Sequence, residues 1–371
     1  MGNSSAGDRS PAGIAEKEHI VPVLQSGPLE SLAASLFVAA GMPREGAGIV
    51  ARSLVDSNLC GHDSHGIIRV PQYIGFLREK KLFADVPLLP VRETVAAVTV
   101  DAQWGLGQIQ AYRLLDLMLP KARDRGIAAG SMRRCGHTGR RGEYAEWAAS
   151  RNLAFVGSVN SSGSGRRVSP PGGTQGRIST NPLCIGVPSS DGEPVVLDIG
   201  TSAVAEGKVR VAFQKGERAP DGWLLDAAGR PSNDPAVLYD EKARGSILPF
   251  GGPQAYKGFG LGLMLDMLCG GLSGGDCSRE DRPLPGLGNT VLFLLFDPEM
   301  FGGREHFLNE TGRLAAFVRA CPTAPGVDGI TLPGDPERAI RKARTVEGIP
   351  IPDGTWKLLV EVAGQLGVRV E

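Results

Sequence analysis

Residues 63–73 of the chain read DSHGIIRVPQY and place a histidine, an arginine and a tyrosine at positions 65, 69 and 73. A spacing of four residues brings side chains onto one face of a helix, so one continuous helix would align His65, Arg69 and Tyr73. The planar guanidinium of an arginine suits a substrate carboxylate. A surface helix with a solvated arginine would show the same spacing. The residues alone leave both interpretations open.

The sequence before this stretch indicates helices. Apolar residues recur with helical spacing between residues 29 and 59, and the break GMP at 41–43 separates two helices. A third helix is expected within residues 69–80, with Pro71 in its first turn. Residues 1–18 are small and polar, which is typical of a disordered tail.

The pattern after residue 80 indicates an α/β unit. Strands are predicted at 95–100, 153–159, 183–187 and 194–198, with helices at 108–125 and 142–151 between them. Further along, the sequence predicts a buried glycine-rich helix at 258–272 and an apolar strand at 290–296. Amphipathic helices are predicted at 307–320 and 335–344.

A second candidate site lies at residues 135–144, CGHTGRRGEY, where His137 stands in a glycine-rich loop just before a helix. Glycine-rich backbone can approach a ligand closely, and an imidazole titrates near neutral pH, so His137 could accept a proton. A surface-loop histidine would fit the spacing equally well. His62 and His65 have no recognisable third ligand, so we expect no metal site.

Small-residue loops at 161–165 (SSGSG) and 171–173 (PGG) could cradle phosphates with their backbone N–H groups. The glycines at 258–262 (GFGLG) resemble a dinucleotide fingerprint only superficially. They follow no clear strand and complete no G-x-G-x-x-G, so we expect close helix packing there. A standard Rossmann fold is therefore disfavoured.

Composition narrows the function classes. Forty basic residues balance forty acidic ones, which argues against nucleic-acid or anionic-membrane partners. The six cysteines form no Cys-x-x-Cys pair and indicate reduced thiols. The chain starts without a charged region followed by an apolar run, and the apolar stretch at 259–272 is too short for a membrane span. We therefore expect a cytoplasmic protein.

An ordered set of motifs resembles the malate/L-lactate dehydrogenase family of the non-Rossmann type, whose relatives include ureidoglycolate, sulfolactate and malate dehydrogenases. The matching segments span about residues 28 to 345. They are DSHGIIRVPQY (63–73), GHTGRRGEY (136–144), TNP (180–182), LDIGTS (197–202), LPFGG (248–252), KGFGL (257–261) and LPGDPE (332–337).

The resemblance implies an α/β (α+β) fold in which both chain ends build a helical domain and an α/β cofactor-binding domain is inserted. After the tail at 1–18, we expect helical residues 19–79, the inserted domain at 80–226 and the second helical part at 227–371. It also implies a homodimer.

The resemblance assigns site residues position by position. Catalytic roles fall to His137, as proton acceptor, and to His65. Substrate contacts fall to Ser64, Arg69 and Tyr73. Contacts with a nicotinamide cofactor, NAD or NADP, fall to Ser161, Asp198, Ile199, Gly200, Leu248, Gly334 and Asp335.

The implied activity is hydride exchange between the cofactor and a small 2-hydroxy or 2-oxo carboxylic acid. A reductase of cyclic 2-imino acids would use the same residues, and a non-catalytic nucleotide binder is a third alternative. Either His137 or His65 could transfer the proton. This chain has Gly136 and Thr138 around the histidine where many relatives have Asn-His-Phe, and its loop at 159–171 is longer and more basic, with Arg166 and Arg167.

Overall fold

The computed structural model describes residues 22–161, 165–279 and 288–370. The predicted tail and residues 162–164 of the small-residue loop lie outside this range. Within it the helices are α1 (Ser26–Ala39), α2 (Arg44–Leu59), α3 (Val70–Arg78), α4 (Gly107–Arg125), α5 (Gly142–Ala149), α6 (Glu206–Lys215), α7 (Ala255–Ser273), α8 (Arg304–Arg319), α9 (Asp335–Glu347) and α10 (Asp353–Leu366). The strands are β1 (Val23–Leu24), β2 (Leu89–Glu93), β3 (Ala97–Asp101), β4 (Ile127–Gly136), β5 (Ala154–Ser161), β6 (Leu183–Val187), β7 (Val195–Ile199), β8 (Leu224–Leu225), β9 (Pro231–Ser232), β10 (Ser246–Ile247), β11 (Gly288–Phe296) and β12 (Ile349–Pro350).

A helical core joins the two ends of the chain. The buried faces of α1, α2 and α3 pack with Leu359 and Ala363 of α10. Strand β1 pairs with β12, with Val23 opposite Pro350. Gly41, at a φ of +94°, makes the predicted turn between α1 and α2 at no cost in backbone strain. The prediction of a helical domain built from both chain ends is confirmed.

The second core surrounds a seven-stranded sheet in the order β2-β3-β4-β11-β5-β6-β7. Only β3 and β4 pair in parallel, and the other neighbours are antiparallel. A Rossmann sheet is mostly parallel, so the prediction of a different α/β fold is confirmed.

Strand β11 corrects the predicted division of the chain. The sequence places residues 288–296 in the second helical part, yet β11 lies in the centre of the sheet, between β4 and β5. Its side chains Val291, Phe293 and Leu295 are fully buried. An apolar run indicates burial but does not identify the neighbouring strands, so residue 226 is too early an end for the sheet-bearing part.

A third, smaller core is formed by residues between Val168 and Ile247, within the sequence span of the sheet core. It contains Val168, Ile178, Val209 and Leu224 among its fully or nearly buried members and is built around the small sheet β10-β8-β9 and helix α6. The sequence analysis did not separate this unit. It holds the segment that carries Arg167.

One face of helix α7 is exposed, whereas the sequence predicts a buried helix. Met264 and Leu272 are 55% and 56% exposed, so the helix is not buried all round. The predicted close packing is confirmed at Gly258 and Gly262, where an added Cβ would lie 2.3 Å from the Phe250 carbonyl oxygen and 2.6 Å from Thr201 Oγ1. Among the residues described, no helix is long and apolar enough to cross a membrane.

Candidate active site

A cavity of about 860 Å³ opens where the three cores meet. The helical core contributes Ser64, His65 and Arg69 to its wall, the sheet contributes His137, and the third core contributes Arg167. The structure thus brings together the two histidines and the arginine that the sequence singled out.

The stretch 63–73 is not one continuous helix, so His65, Arg69 and Tyr73 do not share a helix face. Two short 3-10 turns, Asp63–His65 and Ile67–Arg69, precede α3 and are separated by Gly66. The Asn58 side chain accepts a hydrogen bond from the backbone N–H of Ile67 at 2.7 Å. An added Cβ at Gly66 would lie 2.2 Å from the same Asn58 oxygen. The Asn58 side chain therefore leaves room only for glycine at position 66. His65 and Arg69, on either side of this break, both line the cavity.

His137 is held by a buried tyrosine. The hydroxyl of Tyr73 lies 2.6 Å from His137 Nδ1, and Gln108 Nε2 donates to that hydroxyl at 3.3 Å. The loop itself is fixed by Asn289, whose Oδ1 accepts from the backbone N–H of Thr138 at 3.1 Å. Because Nδ1 is engaged by Tyr73, Nε2 is the ring nitrogen left for a ligand.

His65 stacks on His137, with ring centroids 5.3 Å apart and planes inclined by 27°. Its Nδ1 lies 3.0 Å from Ser64 Oγ. Burial lowers the pKa of both histidines well below the usual 6.5, and the positive charges of Arg141 and Arg69 lower both further. Both rings are therefore neutral at neutral pH.

Arg69 is anchored by neutral partners. Its Nε donates to the Ser64 carbonyl at 2.7 Å and its Nη1 to Gln72 Oε1 at 2.8 Å. Within the described ranges no carboxylate pairs with it. Its remaining N–H groups and its charge are thus available to a carboxylate in the cavity.

The predicted cofactor residues divide into two groups. Ser161, Asp198, Ile199 and Gly200 line the large cavity, and Gly334 lines a neighbouring cavity of about 340 Å³. The two cavities share Cys60, His62, Asp198 and Glu337 and therefore adjoin one another.

Leu248 and Asp335 line neither cavity. The Leu248 carbonyl accepts from the backbone N–H of Ala203 at 2.7 Å and so supports the wall from behind. Asp335 accepts from Leu332 N at 2.7 Å and pairs with Arg319 at 3.0 Å at the start of α9. Their predicted cofactor contacts would require a ligand that extends beyond these walls.

Sequence reasoning missed the residues that hold this site. Arg141 pairs with Asp198 at 3.2 Å, and Asp198 also accepts from Gly142 N at 2.9 Å. Although burial opposes ionisation, these contacts lower the pKa of Asp198. Of these supporting residues, only Asn289 could have been identified from the sequence, because it is a polar residue at the start of an apolar strand. No group of three potential metal ligands occurs in the part of the chain described here.

Comparisons with known proteins identify the family and the fold of this chain. Residues 24–360 match the family model described as malate/L-lactate dehydrogenase. Hydroxycarboxylate dehydrogenase B of Escherichia coli K12 is 35% identical over 346 residues, which cover 92% of this chain and 94% of that protein. L-lactate dehydrogenase of Cupriavidus necator is 33% identical, over 91% and 96%. The structure of malate dehydrogenase from Pyrococcus horikoshii is 28% identical, covers 94% and 97%, and superposes with a TM-score of 0.85.

Proposed function

The chain belongs to the malate/L-lactate dehydrogenase family, and we propose that it transfers a hydride between a nicotinamide cofactor and a small 2-hydroxy acid, which becomes the 2-oxo acid. One observation carries this proposal. A neutral histidine, engaged at Nδ1 by Tyr73, lines the same cavity as an arginine without a described carboxylate partner. A proton acceptor and a carboxylate clamp are the two groups that oxidation of a hydroxy acid needs from the protein.

Each residue has one task in the oxidation direction. Arg69 holds the substrate carboxylate. His137 accepts the hydroxyl proton at Nε2 in the tautomer whose Nδ1 carries the ring proton and faces the Tyr73 oxygen. When the Ser64 hydroxyl donates to His65 Nδ1, neutral His65 carries its proton on Nε2 and donates to the oxygen that is becoming a carbonyl. A bound nicotinamide would supply the acceptor for the hydride that leaves the 2-carbon.

Ser161, Asp198, Ile199, Gly200 and Gly334 are our candidates for holding the cofactor, since they line the two adjoining cavities. Either NAD or NADP is compatible with this proposal. We further propose that the protein acts as a cytoplasmic homodimer.

A substrate screen tests the function. The protein is mixed with NADH or NADPH, and a panel of 2-oxo acids and cyclic 2-imino acids is tested for loss of the reduced-cofactor absorbance. We expect turnover with 2-oxo acids. Turnover with imino acids alone would identify an imine reductase, and cofactor binding without any turnover would indicate a nucleotide binder.

A further inference from the structure

Helix α7 carries an acidic side chain, Asp266, on its buried face, within an otherwise apolar run. Asp266 is 2% exposed and has no cationic partner in the described ranges. Four neutral groups donate hydrogen bonds to its carboxyl oxygens instead. Burying a carboxyl group is costly unless such donors satisfy it, and a fully satisfied buried network holds its members in fixed places.

The four donors come from three different segments of the chain. Asn160 Nδ2, in β5, donates to one carboxyl oxygen at 3.1 Å, and Asn181 Nδ2 donates to the other at 2.8 Å. Ser278, which follows α7, donates through its backbone N–H at 2.9 Å and its hydroxyl at 2.7 Å. Asn160 lines the large cavity, and Asn181 lies between Thr180 and Pro182, which line it as well. One carboxyl group therefore ties together two parts of the cavity wall.

From Asn160 the hydrogen bonds continue to the loop of His137. Asn289 Nδ2 donates to the Asn160 carbonyl at 2.7 Å. Asn289 Oδ1 in turn accepts from the backbone N–H of Thr138 at 3.1 Å. A continuous path of hydrogen bonds thus runs from Asp266 through two asparagines to the residue that follows His137.

The orientation of the two amides leaves room only for an acceptor at position 266. Asn160 Oδ1 accepts from the backbone N–H of Thr290 at 3.2 Å, so its Nδ2 must face Asp266. Asn181 Nδ2 also donates to the Gly262 carbonyl at 2.9 Å, which fixes the second amide. An asparagine at position 266 would turn its own NH₂ group toward one of these donors and leave a buried donor unpaired.

We propose that Asp266 is a positioning residue for the reaction, which fixes the cavity wall against the His137 loop so that the bound ligand and the proton acceptor meet in reactive geometry. Asp266 lines neither cavity, so it acts only through the residues that it holds. A displacement of about 1 Å caused by a change far from the chemistry can lower a rate on the order of 100-fold. This inference rests on the proposed function.

The test compares Asp266→Asn with the matched control Asp297→Asn. Asp297 is also an aspartate with 3% exposure, follows the far end of β11, accepts from Glu299 N at 3.1 Å and lines neither cavity. Oxidation of L-malate and L-lactate is measured with NAD and NADP. We expect Asp266→Asn to lower kcat on the order of 10- to 100-fold and to change KM by less than about threefold. Asp297→Asn should lower the melting temperature and keep the wild-type kcat.

A double-mutant cycle separates a path through Asn160 from a general loss of stability. Asn160→Ala and Asp266→Asn are measured singly and together. If Asp266 acts through Asn160, the double variant should lose less kcat than the two single losses combined, because the second change breaks a path that is already broken. Fully additive losses, or an unchanged kcat in Asp266→Asn, would refute the proposal. If Asp266→Asn does not fold, Asn160→Ala decides alone: a lowered kcat at unchanged KM supports the proposal, and wild-type kcat refutes it.

Hydrogen exchange at the backbone N–H of Thr138 reads the same network without turnover. We expect Asp266→Asn to speed this exchange on the order of tenfold, and Asp297→Asn to leave it as in the wild type. If the wild type oxidises neither acid and exchange at Thr138 still responds to Asp266→Asn alone, the proposed function fails and the network stands. If the wild type oxidises either acid and Asp266→Asn changes neither kcat nor exchange, the network is refuted and the proposed function stands.

Discussion

Replacing Tyr73 by phenylalanine removes one oxygen from the group that holds His137. Tyr73 is 1% exposed, and its hydroxyl lies 2.6 Å from His137 Nδ1. In the variant a buried ring nitrogen loses its described partner, which costs about 1–3 kcal/mol. At about 1.4 kcal/mol per tenfold, kcat for hydroxy-acid oxidation should fall by roughly 5- to 150-fold. The affinity for cofactor should stay unchanged, because Tyr73 does not line the cavity.

The pH dependence gives a second readout. His137 must be neutral to accept a proton, and its lowered pKa keeps it neutral at and above pH 6.5. The oxidation rate should therefore be flat near neutral pH and fall only in more acidic solution, where the imidazolium forms. A histidine of ordinary pKa, as the sequence alone would predict, would place this decline near pH 6.5.

Steady-state oxidation across a pH series measures both effects, provided that proton or hydride transfer limits the rate. Tyr112→Phe is the matched control, because its hydroxyl is also in the interior but makes only a 3.5 Å contact with Glu143. Wild-type kcat and an unshifted acid limb in Tyr73→Phe would refute the assignment of Tyr73 as the positioning residue for His137.

Four further outcomes are expected. Arg69→Lys should raise KM for 2-oxo acids by about 10- to 150-fold, since a lysine cannot form two parallel bonds; an unchanged KM would reject the clamp. Gly107→Ala should lower both activity and melting temperature, because its Cβ would lie 2.2 Å from the His137 carbonyl oxygen; wild-type values for both would contradict this reading. Burial raises the pKa of Glu143 to about 8, so the folded state binds this proton more tightly than the unfolded one, and stability should fall as pH rises from about 4.5 to 8. Glu143→Gln should flatten that decline in a series of thermal melts, and an equally steep decline would count against it. Light scattering should show a homodimer, and an active monomer at micromolar concentration would argue against that proposal.

Local patterns were sufficient for some elements and not for others. Helix α1 was predictable because the spacing of Leu29, Ala33 and Leu36 records one buried face. Strand β4 was missed because its sequence, IAAGSMRRCG, lacks alternation and contains few β-branched residues. Helix α10 was also missed, although it completes the helical core. Its role depends on contacts with residues more than 250 positions away, which no local pattern records.

In the candidate site, too, some residues were predictable from the sequence and others were not. Single residues with distinctive chemistry, His65, Arg69 and His137, were found from the sequence and line one cavity. Their supports were not found, because Gln108 and Asn58 act through contacts that the chain makes only after folding.

The pairing of β1 with β12 has a consequence for synthesis on the ribosome. The surfaces of α1 and α3 that contact α10 stay uncovered until residues 353–366 emerge, since α10 is the last helix described. The sheet likewise lacks its central strand until residues 288–296 have been made. Neither large core can close during most of translation, and long-range closure of this kind is slow. The nascent chain should therefore expose apolar helix surface for longer than a protein that folds domain by domain, and should depend more on chaperones that bind such surface.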